Sequence, residues 1–362
     1  MSMKEAVALA LRGRGQASPN PLVGAILELD GAIVGQGFHT FAGVDHAEIH
    51  ALKEAGDLAR GATLYVTLEP CSHHGRTGPC AEALIAAGVA KVIAAAEDPN
   101  PLVAGRGFHK LRDAGVEVVL EPSAEADKLN EAFFHFMRHG RPLVTLKTAL
   151  TLDGKIAAPD DNRGWITSST AREHVQQVRH DSDAILTGIG TVLADDCFLT
   201  DRSGLPRGRP LMRVVLDSRL RLPLASRMVT SAEDDLTVVA TSAAPADRKR
   251  NLEERGVRVL TFDGANGRAD IRRTVEWLGE QRYLSLLVEA GSKVNWAVLE
   301  AEAVDKIFFY YAPKILGGTE SLPMAGGLGR RRRADAIKIE RVTLHPIASN
   351  EFAVEGYVHR DR

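Results

Sequence analysis

The sequence predicts two consecutive α/β domains, a three-layer sandwich over residues 1–141 and a second α/β domain with a largely parallel sheet over residues 142–362. Three observations carry this expectation. The chain has 362 residues, more than one hydrophobic core usually fills. Helix-like and strand-like segments alternate along its whole length. Near the middle, Gly140-Arg141-Pro142 breaks the pattern, which then starts afresh.

Met1 to Arg14 reads as an amphipathic helix, with Leu9 and Leu11 among alanines. Val23 to Phe38 reads as a hairpin turning at Asp30-Gly31, a pair suited to a two-residue turn. A helix follows His46, with the periodic run Ile49 to Ala55 as its body. Thr63 to Leu68 is strand-like, Cys80 to Ala87 is helix-like and closed by Gly88, and Lys91 to Ala95 is a strand. A further helix and strand run through Leu120, and Ala124 to Arg138 reads as one helix before the boundary.

Beyond Pro142, strands are expected at 143–146, 184–187, 213–216, 236–239, 284–288 and 306–310, with helices such as Ala269 to Gln281 between them. Ligands in such sheets bind beyond the carboxyl ends of the strands, where glycine turns occur at Gly188-Ile189-Gly190-Thr191, Glu289-Ala290-Gly291-Ser292 and Leu316-Gly317-Gly318. Gly291-Ser292, before a helix at Lys293 to Glu300, could cradle a phosphate on its backbone N–H groups. None of these turns matches G-x-G-x-x-G. From the residues alone, this half is an anion or cofactor domain.

The chemistry is most legible in His46-Ala47-Glu48 and Pro70-Cys71 followed by Cys80. A catalytic zinc takes three protein ligands and leaves its fourth position to water. His46, Cys71 and Cys80 supply three suitable donors, and Glu48 remains to carry protons, the arrangement of a nucleobase deaminase that converts C–NH2 to C=O. Residues two apart in a helix interior face different ways, so His46 is expected in an irregular first turn. Taken singly, these would be two buried cysteines and a surface histidine. A purely structural zinc on Cys71, Cys80 and His73 or His74 is the competing metal site, but it leaves His46 and Glu48 without a role. Cys197 reads as a small core residue.

Composition sets bounds on partners. Lys and Arg number 45 against 47 Asp and Glu, so no basic excess argues for a nucleic-acid surface. The one dense basic run, Gly329 to Arg333, reads as a solvated loop or a phosphate contact. No signal peptide or membrane span is expected, and three cysteines, two assigned to metal, indicate a reducing cytoplasm.

Ser18-Pro19-Asn20-Pro21-Leu22-Val23-Gly24, Gly37-Phe38-His39, His46-Ala47-Glu48 and Glu69 through Cys80 closely resemble the bacterial RibD family of bifunctional riboflavin-biosynthesis enzymes. The discriminating detail is the long insert between the cysteines, which cytidine and tRNA deaminases lack. The second half matches in Leu152 to Ala157, Trp165-Ile166-Thr167, Asp183 to Leu186, Thr191 to Asp196 and Val288 to Gly291. The resemblance implies a cytidine-deaminase-like domain that hydrolyses the ring amino group of 2,5-diamino-6-ribosylamino-4(3H)-pyrimidinone 5′-phosphate with Zn2+. It also implies a dihydrofolate-reductase-like domain that reduces the ribosyl group to ribityl with NADPH.

Carried over by motif, the deaminase substrate contacts are Asn20, His39, Arg76 and Asn100. Cofactor positions fall on Ala149, Trp165, Thr191, Asp195, Ser218, Gly291 and Ser292, and reductase substrate positions on Arg179, Leu199, Arg202 and Glu289. Without the motif context, Arg179 and Arg202 would be solvated charges and Trp165 core. Two positions depart from the family pattern: Arg163, in place of a small hydroxyl residue, and Cys197, in place of proline. Arg163 is read as a substrate phosphate contact or as an obstruction to the usual pose. The latter leaves an alternative, a deaminase whose second domain only binds ligand; a zinc-stabilised binding protein without catalysis is the other. The resemblance also implies a homo-oligomer, dimer or tetramer, through the reductase domain.

Overall fold

The computed structural model describes residues 2–43, 45–73, 78–100, 103–160, 164–233 and 235–359. They form two compact units, Met1–Gly140 with Pro206–Arg209, and Arg141–Leu205 with Pro210–Arg362.

The first unit runs α1 (Ser2–Leu11), β1 (Gly24–Leu29), β2 (Ala32–Phe38), α2 (Ala47–Ala55), β3 (Thr63–Val66), α3 (Cys80–Ala87), β4 (Lys91–Ala94), α4 (Arg106–Asp113), β5 (Glu117–Leu120), α5 (Ala124–Leu129) and α6 (Glu131–His139). The hairpin β1–β2 turns at Asp30-Gly31, both with positive φ (52° and 81°), as a two-residue primed turn requires. Its sheet has the order β2-β1-β3-β4-β5; β1 is antiparallel to both neighbours, and β3, β4 and β5 are parallel.

Alternation along the strands sends side chains to two layers. Ala25, Leu27, Leu64, Val66, Val92 and Ala94 meet the alanine stripe Ala47, Ala51 and Ala55 of α2, together with Leu84 of α3 and Leu111 of α4. Ile26, Ile93 and Ala95 meet Met3, Ala6 and Leu9 of α1 and Ala126 of α5 on the other face. Close approach places α2: a Cβ on Gly35 would lie 2.1 Å from the Ala51 carbonyl oxygen, and one on Gly37 2.3 Å from that of Ala47. Those two glycines of β2 let the helix rest on the strand, and so fix where its first turn points.

The expected helix over 124–138 is broken at Asn130, which lies between α5 and α6. The reason is long-range. The buried Asn130 amide accepts from Leu22 N (2.8 Å) and donates to Leu22 O (2.9 Å), pairing with one residue's backbone as a strand would.

The second unit runs β6 (Leu143–Thr151), β7 (Lys155–Ala157), α7 (Ser169–His180), β8 (Ala184–Gly188), α8 (Ile189–Asp195), β9 (Met212–Leu216), α9 (Arg227–Thr230), β10 (Leu236–Ala240), α10 (Ala246–Glu253), β11 (Arg258–Thr261), α11 (Ile271–Glu280), β12 (Ser285–Val288), α12 (Ser292–Glu300), β13 (Lys306–Ala312), β14 (Leu322–Pro323), β15 (Ile339–Ala348) and β16 (Glu351–Val358). Its main sheet has the order β11-β10-β9-β8-β12-β6-β13-β16-β15. Every pairing from β11 to β13 is parallel, and β16 and β15 close the sheet antiparallel. That is the α/β class expected, with β11 and the terminal hairpin added. β8, β12 and β6 are neighbours, so the segments leaving their carboxyl ends converge.

Candidate active site

In the first unit, β3 leads through Thr67–Pro70 to Cys71, α3 begins at Cys80, and His46 is the N-cap of α2. The His46 backbone is extended (φ −78°, ψ 166°), so its side chain escapes the helical spacing that would have separated it from Glu48. One donor atom from each of His46, Cys71 and Cys80 lies within 4.8 Å of the other two. His46 Nδ1 is 3.5 Å from Cys71 Sγ and 3.2 Å from Cys80 Sγ.

Two helix N-termini face this cluster, and Cys80 N donates to Cys71 Sγ at 3.3 Å, which favours thiolate. Hydrogen bonding from Cys80, then from His46, outweighs burial and brings the Cys71 thiol down to about 4. Beside that thiolate, Cys80 is pushed well up. Two soft sulfurs and one imidazole nitrogen suit zinc, and a divalent cation would let both thiols ionise. His73 is exposed and is not grouped with these donors, whereas His74 lies outside the described residues.

Glu48, in the first turn of α2, is buried, and burial together with the Cys71 thiolate raises its carboxyl to about 7. A carboxyl poised near neutrality can both take and give a proton. Next to it, the His39 ring meets His46 edge-on at 5.2 Å. Its Nδ1 lies 3.1 Å from Asp45 O, which can only accept, so Nδ1 carries the proton and Nε2 accepts from Asn20 Nδ2 at 2.9 Å. Asn20 and His39 are thus brought together beside the donor cluster. Asn100 lies on the segment after β4, its N donating to Asp98 Oδ1 at 2.8 Å. Arg76 lies outside the described residues.

In the second unit a largely buried charge cluster gathers at Glu289. Glu289, just past β12, accepts from Arg179 Nε (2.7 Å) and Nη2 (3.0 Å) and from Lys147 Nζ (3.1 Å). Burial works to raise the Glu289 carboxyl, but the two cations outweigh it and hold it at about 2. Arg179 Nη1 also donates to Thr200 O at 3.2 Å, which ties in the loop of Leu199, a buried residue with φ 50°. Lys147 was not anticipated; its one signal is a charge in the middle of the apolar strand 143–151.

Gly291 is the N-cap of α12, and a Cβ there would stand 3.7 Å from Thr191 Oγ1, so the turns after β8 and β12 lie side by side. The buried oxygens Thr187 Oγ1 and Ser292 Oγ have no hydrogen-bond partner among the described residues, which fits a polar ligand at this helix start. Asp195 ends α8, and burial raises its carboxyl. Ser218, beyond β9, accepts from Ala269 N at 2.9 Å, and Ala149 lies on β6 opposite Tyr310.

Trp165 is 68% exposed beneath the Arg172 guanidinium (5.0 Å), so it is a surface residue and not core. Arg202 is exposed and joined to α7 by its backbone N, 2.9 Å from Gln176 Oε1. Arg163 lies outside the described residues. Cys197 is half-buried against the core beside α8, and burial raises its thiol to about 11.

Residues 1–96 match the family described as cytidine and deoxycytidylate deaminase zinc-binding region, and residues 142–346 match RibD C-terminal domain. The riboflavin biosynthesis protein RibD of Escherichia coli K12 is 43% identical over 353 residues, covering 94% of this chain and 95% of that protein. That of Actinobacillus pleuropneumoniae is 43% identical over 339 residues, covering 93% and 90%. Among solved structures, Acinetobacter baumannii RibD superposes with a TM-score of 0.88 at 37% identity, covering 99% of this chain and 98% of the other. The deaminase/reductase from Thermotoga maritima gives 0.82 at 36% identity, covering 99% and 97%.

Proposed function

Since the chain belongs to the RibD family of riboflavin-biosynthesis enzymes, we propose that its two activities rest on the two residue clusters described above. The enzyme is a zinc-dependent deaminase and an NADPH-dependent reductase. It hydrolyses the ring amino group of 2,5-diamino-6-ribosylamino-4(3H)-pyrimidinone 5′-phosphate and then reduces the ribosyl group to ribityl.

In the deaminase, His46, Cys71 and Cys80 would hold zinc, which supplies Lewis acidity that makes water nucleophilic near neutral pH. Glu48 takes a proton from the attacking water and delivers it to the departing amine, the two halves of one shuttle. Asn20 and His39 orient the pyrimidine; Asn100 and Arg76 are assigned to the same substrate. The observation that carries this reading is the convergence of the three donors on a buried carboxyl raised to about 7.

In the reductase, the turns at Thr191 and at Gly291-Ser292 would receive NADPH, which supplies hydride, with Ala149, Trp165, Asp195 and Ser218 as further contacts. Arg179 and Glu289, with Leu199, Arg202 and Arg163, are assigned to the ribosyl phosphate. A ligand-binding-only second domain is the lesser reading, because the Arg179–Glu289–Lys147 cluster is complete. The test is chelation: stripping zinc from the purified enzyme abolishes deamination, re-addition restores it, and NADPH oxidation on already deaminated substrate is untouched throughout. Deamination that survives removal of zinc defeats the reading.

A homo-oligomer, dimer or tetramer, assembled through the second unit is part of the same proposal. Its support is the sheet-edge strand β15, which exposes Val342 (55%) and Leu344 (65%). Among the described residues, no helix is long and apolar enough to cross a membrane. Assignment to the cytoplasm rests on the thiols, which metal binding needs reduced.

A further inference from the structure

We propose that Glu69 is the positioning residue of the deaminase substrate loop, its carboxylate tying the turn that carries Cys71 to the segment that carries Asn100. Glu69 is 4% exposed, ends the chain segment after β3 and stands two residues before Cys71. Its backbone N donates to Ala96 O at 2.9 Å, continuing the sheet pairing as far as the Pro70 turn.

The carboxylate itself is shared among four backbone donors. Oε2 accepts from Asp98 N (3.1 Å) and Gly105 N (3.0 Å), which stand on either side of Asn100. Oε1 accepts from Gly107 N (2.8 Å) and Phe108 N (3.4 Å), the second and third residues of α4. One side chain therefore gathers both ends of the Asn100 segment and caps the following helix. Asn100 is fixed further by its own backbone: its N reaches Asp98 Oδ1, and its O accepts from Val103 N (2.8 Å) and Ala104 N (2.9 Å).

Contact with the metal turn is direct. A Cβ on Gly107 would stand 2.0 Å from the Pro70 carbonyl oxygen, so the first turn of α4 lies on the backbone joining Glu69 to Cys71. A carboxylate, and not a carboxamide, is the group that fits these four donors. It offers acceptors only, whereas glutamine would turn an NH2 group against two of the four N–H donors. Glu69 makes none of these bonds with the metal-ligand side chains, and its effect on deamination runs through the placement of Asn100.

The inference rests on Asn100 being a substrate contact, and the experiment separates the two. Deamination kinetics and zinc content are measured on the full-length zinc enzyme, on Glu69→Gln, on Asn100→Ala and on the double variant. Glu69→Gln raises the KM for the diamino pyrimidinone phosphate on the order of 10-fold or more, as expected for a lost charge-assisted hydrogen bond, while kcat falls much less. Zinc per chain and reduction of deaminated substrate stay unchanged. Asn100→Ala also raises KM, and the double variant is no worse than the weaker single, because both changes remove one interaction. Unchanged KM in Glu69→Gln beside a damaged Asn100→Ala overturns this inference alone, as does additivity or loss of zinc. Unchanged KM in Asn100→Ala removes the assignment of Asn100 and this inference with it. Should Glu69→Gln not fold, hydrogen exchange on the unaltered enzyme decides: the amides of Asp98, Gly105, Gly107 and Phe108 are protected, and exchange of Asp98 and Gly105 at free-peptide rates overturns the inference.

Discussion

Glu48 is a buried carboxyl and Glu289 a largely buried one, and their surroundings drive them in opposite directions. Glu48 has burial and a thiolate next to it and rises to about 7; Glu289 has Lys147 and Arg179 and stays at about 2. Glu48→Gln keeps the shape and loses the shuttle, so deamination should fall by at least about 10³-fold with zinc retained. Cys71→Ser and Cys80→Ser should lose zinc instead, read by metal analysis of the purified variants. Glu289 gives a pH prediction. Its folded value lies below the ordinary 4.5, so its contribution is complete above about 4.5 and is lost as pH falls toward 2. The stabilisation at stake is about 3 kcal/mol, and urea unfolding across that window should show a slope that Glu289→Gln flattens.

At the scale of elements, Asn130 shows how a distant contact overrides a local pattern. The run 124–138 reads as one helix, yet the structure breaks it so that one amide can clamp Leu22 beside the Asn20 turn. Asn130→Ala should lower unfolding stability by about 1–3 kcal/mol, because Leu22 N loses its acceptor and Leu22 O the nearer of its two donors. The paired turns after β8 and β12 give a second prediction. Gly291 has room for a Cβ, so Gly291→Val should fold normally, raise the KM for NADPH and leave deamination unaffected. Equal damage to both activities would indicate misfolding.

The same distinction separates what was legible in the sequence from what was not. Elements with their own periodicity and stops, such as α3 closed by Gly88 or the Asp30-Gly31 hairpin, could be read directly. The clustering of His46, Cys71 and Cys80 was readable because a metal site demands particular residue types at a short spacing. β15 and β16 were missed: β15 is mostly exposed and holds Pro346, and its alternating Val342 and Leu344 lie on the exposed sheet edge where they mark no core. Lys147 and Asn130 act on partners 142 and 108 residues away, and nothing in their local sequence states it.

For the whole molecule, the claim is two reactions on two separately built sites. The deaminase cluster draws every assigned residue from positions up to Asn100, and the reductase cluster draws its own from Lys147 onward. A fragment beginning at Arg141 should therefore oxidise NADPH on deaminated substrate. A fragment ending at Gly140 should deaminate less well than the full chain, since Pro206–Arg209 belong to its compact unit. Partial reactions on the two purified fragments check both expectations.

The most direct measurement follows one substrate through one protein by mass spectrometry. Purified enzyme is given the diamino pyrimidinone phosphate, first without NADPH and then with it. Without NADPH, the account predicts a single product in which oxygen has replaced one NH group; on adding NADPH, that product gains two hydrogens. Reduction of substrate that still carries both ring amino groups, or no mass change until NADPH is present, would contradict it.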